Sequence, residues 1–236
     1  MADRFYARFN LSRADYLVFK EEFDKLQKER SDALKKEFSR EAAALENKKV
    51  LFIGDSISSD NLGYRASVSL AASLRAVNGS LSSSTSATLL ESSLKLIEDS
   101  KPEIVSIMLG TNDSLSITEL GNNMVSLEDY EANMRKIIAK AKDVGAKILL
   151  FKIPFIEEKL FSDYFTERGK FQNNETISLY NAALSRIAEE EKIALVPHTW
   201  FELENLTPFF EPDGIHLSVM AQERFAKNWL INASKL

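Results

Sequence analysis

The 236-residue sequence contains no cysteine. Disulfides, thiolate metal sites and a cysteine nucleophile are therefore excluded. Histidine is scarce: only His198 and His216 can supply imidazole chemistry. No apolar run approaches the length of a membrane span. Basic runs are missing too, and the net charge of -5 argues against nucleic acid as a partner, because phosphate binding needs clustered Lys and Arg. No Gly-x-x-x-x-Gly-Lys-Ser/Thr loop is present, so a P-loop nucleotide enzyme is disfavoured. Neither a metal nor a cofactor is expected. Met1 to Asn10 is charged and lacks an apolar segment, so no secretory signal is expected. A cytoplasmic protein is the default expectation, with secretion of a processed form left open.

What is present is 44% hydrophobic and 28% charged, the composition of a globular domain long enough for one sizeable core. From Leu11 to Asn47 there is no Gly or Pro, and apolar residues recur at Tyr16, Phe19, Phe23, Leu26, Leu34, Phe38, Ala42 and Leu45. Those spacings predict a long amphipathic helix. Residues 1–47 are read as a helical extension, and 48–236 as the main domain. The stripe serves either packing on that domain or self-association, the latter slightly favoured.

Thereafter strands and helices alternate. Val50 to Gly54 is an apolar run ending in Asp55-Ser56, as expected of a strand buried on both faces. A helix over 60–73, a weak strand over 74–78, a helix over 86–99 and a strand over 103–109 follow. Then come a helix over 127–144 ended by Gly145, a strand over 147–153, a helix over 175–191, a strand over 193–196 and a last helix over 218–233. The alternation predicts an α/β fold: a five-stranded parallel, doubly wound sheet in a flavodoxin-like three-layer sandwich, with the helical extension at its N-terminus.

Three strands end in loops rich in small polar residues: Gly54-Asp55-Ser56, Gly79 to Thr85, and Gly110-Thr111-Asn112-Asp113. All open on the carboxyl edge of a parallel sheet, where ligands bind in open α/β folds. Asp55-Ser56 also suits a helix N-cap. Asp213 to Ser218 precedes the last helix, with His216 three residues after Asp213. One turn of chain can set that carboxylate against the inner ring nitrogen while the outer nitrogen faces Ser56, the arrangement a serine nucleophile requires. His198 has no such neighbour and reads as a structural or rim residue. Donors for an oxyanion are the Ser56 N–H, an N–H near Ser83 and the Asn112 amide, although Asn112 also suits a turn.

These blocks, in this order, resemble the SGNH hydrolases, the GDSL-type esterases and lipases. Gly54-Asp55-Ser56-Ile57 resembles the nucleophile block, Gly110-Thr111-Asn112-Asp113 the block with the oxyanion asparagine, and Asp213-Gly214-Ile215-His216-Leu217-Ser218 the block with acid and base. Tyr180 to Leu184 is similar to a helix of that family, and the likeness spans about 48–230. The resemblance implies a metal-free serine esterase: Ser56 attacks, His216 is base and Asp213 its orienting acid. Short-acyl or O-acetyl esters of small molecules or carbohydrates are the expected substrates. An acyltransferase or a non-catalytic binding module is the alternative. The family's second block supplies a glycine N–H to the oxyanion hole, and the alignment puts Ser83 there; a register using Gly79 is the other choice. The connections Phe155 to Phe171 and Trp200 to Phe210 are candidate pocket walls, core or interface.

Overall fold

The structure, a computed structural model, describes residues 13–119, 121–198 and 206–236. Helix α1 (Arg13–Glu37) breaks at Phe38 and resumes as the short α2 (Ser39–Ala44). Strand β1 (Lys49–Gly54) leads into a single turn, α3 (Ser56–Ser59), and then α4 (Tyr64–Ala71). The chain continues through β2 (Arg75–Asn78), α5 (Ser86–Ser100), β3 (Ile104–Met108), α6 (Leu127–Asp143) and β4 (Lys147–Phe151). It ends with α7 (Glu158–Phe165), α8 (Asn174–Glu191), β5 (Ala194–Val196) and α9 (Val219–Ala233).

All five strands are parallel, in the order β2-β1-β3-β4-β5. The expected five-stranded α/β sandwich is what forms. Strand period two divides the core into two. Val50 and Phe52 of β1 face a layer that includes Tyr64, Phe225 and Trp229, whereas Leu51 and Ile53 face one built from Tyr130, Met134, Ile137, Tyr180 and Leu184. In the first layer the Trp229 indole N–H donates to Ser106 Oγ at 2.9 Å. Such a bond keeps the indole N–H from being buried without an acceptor.

The apolar stripe of the N-terminal helix is divided in use. Leu34, Ala42 and Leu45 are buried in the core beside α4 and α9. Gln27 and Arg30 donate to the carbonyls of Asn61 and Leu62, and Lys227 of α9 pairs with Glu37. Leu17, Val18, Phe19 and Leu26, one half of the helix earlier, are exposed.

Two differences from the sequence reading have local causes. The helix expected over 60–73 is shorter, Tyr64–Ala71, because Asp60 ends α3 outside the helical region (φ -55°, ψ 126°) and Gly63 caps α4 afresh. Helix α7 lies within a connection that the periodicity left unassigned. Its N-cap is Glu157, whose carboxylate accepts from Leu160 N at 2.5 Å.

Candidate active site

Strand β1 ends where its last residue has no room for a side chain. A Cβ at Gly54 would lie 2.6 Å from the Met108 carbonyl oxygen and 2.4 Å from Ser58 Oγ. Glycine alone lets β1 and β3 meet here before the chain turns into α3. Asp55 caps that turn, its Oδ1 accepting from Ile57 N at 3.1 Å. The capping role read from the sequence and the presentation of Ser56 are thus both realised, on adjacent residues. Ser56 is the first residue of α3, so its N–H has no intrahelical acceptor.

The Asp213–Ser218 segment reaches the same place from the other end of the chain. Gly214 adopts φ +70°, and a Cβ there would stand 2.4 Å from Phe161 N and 2.6 Å from the Glu157 carbonyl. This tight reversal folds Asp213 back on the residues after it. Asp213 Oδ1 accepts from the backbone N–H groups of Ile215 (3.1 Å) and His216 (3.0 Å), and Oδ2 meets His216 Nδ1 at 2.5 Å. His216 Nε2 lies 2.9 Å from Ser56 Oγ, across 160 residues of sequence. The structure therefore brings Ser56, His216 and Asp213 into one hydrogen-bonded line.

Charge follows from these contacts. The Asp213 hydrogen bond raises the His216 pKa above its ordinary 6.5, more than burial lowers it. Burial works to raise the Asp213 carboxyl, but hydrogen bonds from the His216 ring and from two backbone N–H groups outweigh it and hold the group below 3.8. Beneath the line, desolvation pushes the fully buried Asp55 carboxyl up.

The predicted oxyanion donors sit on the loop between β2 and α5 and on the turn after β3. Ser83 has φ +61°, a left-handed conformation natural to glycine and costly for serine. Among the described residues, the Ser83 N–H has no protein acceptor. Asn112 Nδ2 donates to the Ser84 carbonyl at 3.0 Å, and an amide nitrogen has a second hydrogen to give. Gly79 is engaged differently: its N–H donates to the Phe52 carbonyl at 2.8 Å, extending the β1–β2 ladder.

Asp113 has a part that the sequence reading did not assign. Both its oxygens accept from Ser86 N, at 2.9 and 3.0 Å, which ties the start of α5, and so the Ser82–Ser84 loop, to the turn after β3. Burial pushes its carboxyl up to about 6. Only its place beside Asn112 could have pointed to it. His198 stands apart from the Ser56 line. It is buried, its Nε2–H donates to the Lys152 carbonyl at 2.7 Å, and its ring packs on Phe151 and Phe225.

Two clefts meet at Ser56 and His216. One, of about 220 Å³, contains Ser83 and Asn112 and is walled by Leu115, Phe161, Phe165, Ile215 and Lys170. The other, of about 440 Å³, is polar and lined by Ser59, Asp60, Asn61, Glu211 and Gln222. The connection after β4 thus supplies a pocket wall. Of the second aromatic connection, residues 199–205 lie outside the described residues, and Phe209 and Phe210 are buried.

Comparison with known proteins agrees with this architecture. Residues 52–224 match the family described as GDSL-like Lipase/Acylhydrolase. The esterase TesA of Pseudomonas aeruginosa is 30% identical over 190 residues, covering 76% of this chain and 84% of that protein. An arylesterase of Vibrio mimicus is 24% identical over 205 residues, or 80% and 90% of the two chains. The crystal structure of TesA superposes with a TM-score of 0.61 at 27% identity, over 78% of this chain and 98% of that one. An acetylxylan esterase from Geobacillus stearothermophilus shares the fold, with a TM-score of 0.62 at 24% identity over 79% and 94%. With the match spanning both ends of the Ser56–His216 line, the chain belongs to the GDSL-like lipase/acylhydrolase family and is a carboxylic ester hydrolase.

Proposed function

We propose that the chain hydrolyses short-acyl esters through an acyl-enzyme on Ser56. The observation that carries this reading is the continuous line from Ser56 Oγ to His216 Nε2 and from His216 Nδ1 to Asp213. Ser56 Oγ attacks the ester carbonyl as its proton passes to His216 Nε2. The imidazolium so formed is stabilised by Asp213, whose grip on Nδ1–H also selects the tautomer with Nε2 free to accept. His216 then returns the proton to the leaving alcohol, and water, activated by the same ring, releases the acid. The tetrahedral oxyanion is held by the N–H groups of Ser56 and Ser83 and the Asn112 amide; losing one such donor costs roughly a hundred- to a thousandfold in turnover.

Acyl groups enter the cleft of about 220 Å³, whose walls Leu115, Phe161 and Phe165 favour short chains, acetyl included. The alcohol, a small molecule or a sugar, lies in the polar cleft.

The test is a double-mutant cycle on ester hydrolysis, with circular dichroism to verify folding. Ser56→Ala and His216→Ala should each lower turnover by several powers of ten, and the double variant should be scarcely slower, since neither group works without the other. Near-normal turnover in His216→Ala would overturn the assignment. Rates that climb steadily from acetyl to decanoyl esters would overturn the acyl preference.

A further inference from the structure

The cleft of about 220 Å³ contains one charged side chain besides the Ser56–His216 pair, and that side chain is a cation. Lys170 lines the wall with its Nζ 5.0 Å from the centre of the Phe165 ring, itself a wall residue. Its backbone is pinned on both sides. Gly169, at φ +67°, reverses the chain after the Thr166–Arg168 turn, and the Lys170 N–H donates to the Phe165 carbonyl at 3.2 Å. Phe171 exchanges two backbone hydrogen bonds with Ser116, at 2.8 and 2.9 Å. Among the described residues Lys170 makes no ion pair. Lys170 is partly buried, and its ammonium lies over a ring face with no carboxylate paired to it, so its charge is available to an anion in the cleft.

The other cleft has the opposite sign. Asp60 and Glu211 line it, and neither has an ion-pair partner among the described residues. An anionic group placed there meets two carboxylates, whereas the same group in the cleft of about 220 Å³ meets Lys170. Attraction on one side and repulsion on the other select a single orientation.

We infer that the acyl cleft is built for short acyl groups carrying a terminal carboxylate, of the succinyl or glutaryl type, with Lys170 as the residue that recognises the distal charge. This rests on the proposed acyl-enzyme reading of Ser56 and adds to it the chemistry of the acyl chain. Reaction proceeds as for any ester: the Ser56 Oγ–acyl bond forms, the alcohol leaves with the proton from His216, and water releases the dicarboxylate.

The experiment compares monoethyl succinate with ethyl levulinate, a near-isostere that ends in a neutral methyl ketone. Alkyl esters avoid the rapid self-cleavage that a good leaving group permits in half-esters. Ethanol release gives kcat/KM for each, with Ser56→Ala as the blank. The wild type should prefer the succinate about five- to tenfold, carried mainly by KM and diminished by added salt. Lys170→Met should bring the ratio to about one, Lys170→Arg should keep it above one, and Lys170→Glu should invert it. A wild-type ratio of one or less, or a preference that survives in Lys170→Met, overturns the inference while leaving the esterase reading standing. Ethanol release no faster than the blank from either ester overturns that reading, and this inference with it. A Lys170-dependent preference for acetoxyacetate over 2-methoxyethyl acetate would move the charge to the alcohol and refute the acyl assignment.

Discussion

The two histidines are the same side chain in opposite settings. His216 is partly exposed, and its partner is a carboxylate, so a proton on its ring is stabilised and its pKa is raised. His198 is buried against Phe151 and Phe225, and its partner is a carbonyl, which accepts a hydrogen bond but cannot balance a charge. Burial lowers its pKa to about 4. Identity of the residue decides little here: the neighbour's charge and the access of water decide whether imidazole can act as a base or only fill space.

The sharpest way to break this contrast is exchange of function. His216→Ala should lose several powers of ten in turnover, whereas His198→Ala should stay within about tenfold of wild type and lose instead about 1–3 kcal/mol of stability, measured by urea unfolding. A large catalytic loss at His198 would reverse the assignment.

The two sites should also differ in the sign of their response to pH. A histidine whose pKa is lowered on folding stabilises above 6.5, and the contribution disappears as pH falls toward the folded value. For His198 that is on the order of 3 kcal/mol, lost between about pH 6.5 and 4. The stability gap between wild type and His198→Gln should therefore shrink over that interval. At His216 the pKa is raised, so its contribution is present below 6.5 and lost as pH rises through the folded value. The gap to His216→Gln should shrink in the alkaline direction. Turnover should rise with pH over that same alkaline interval, because only the neutral ring takes the Ser56 proton; a flat profile from pH 6 to 9 would count against His216 as base.

The smallest effect concerns the loop beside His216. Ser83 holds φ +61°, so Ser83→Gly should relieve strain and raise stability by about 1 kcal/mol while retaining the N–H donor. A loss of stability in that variant would mean that the serine side chain makes up for its backbone.

The strand sequence, the parallel sheet and the Ser56, Asp213 and His216 positions were all legible along the chain. Each rests on local signals: continuous apolar runs buried on both faces, Gly54 at a strand end, and a carboxylate three residues from an imidazole. What escaped was structure with no periodic signature. Helix α7 is eight residues long and starts on a glutamate cap, and Lys170, two turns of chain further on, reads as an ordinary surface lysine. The role of Asp113 escaped for a different reason, since its partner is a backbone N–H, which every residue but proline carries.

By itself the sequence determined which residues had to lie on the carboxyl edge of the sheet, because strand polarity in a parallel fold fixes where each strand's following loop emerges. It also indicated a long amphipathic helical stretch ahead of β1, which forms as α1 and α2 with a break at Phe38. Only the tertiary structure decided that the second half of that helix closes on the core while Leu17 to Phe19 stay exposed, and that Gly79 spends its N–H on Phe52 while the Ser83 N–H is left without a protein acceptor. It alone brought Lys170 to the cleft that holds Ser83 and Asn112, and Asp60 and Glu211 to the other. The physical reason is range. Hydrophobic periodicity and turn chemistry act over a few residues and can be read in order, whereas desolvation and charge pairing depend on whatever the fold packs alongside, as the 160 residues between Ser56 and His216 illustrate.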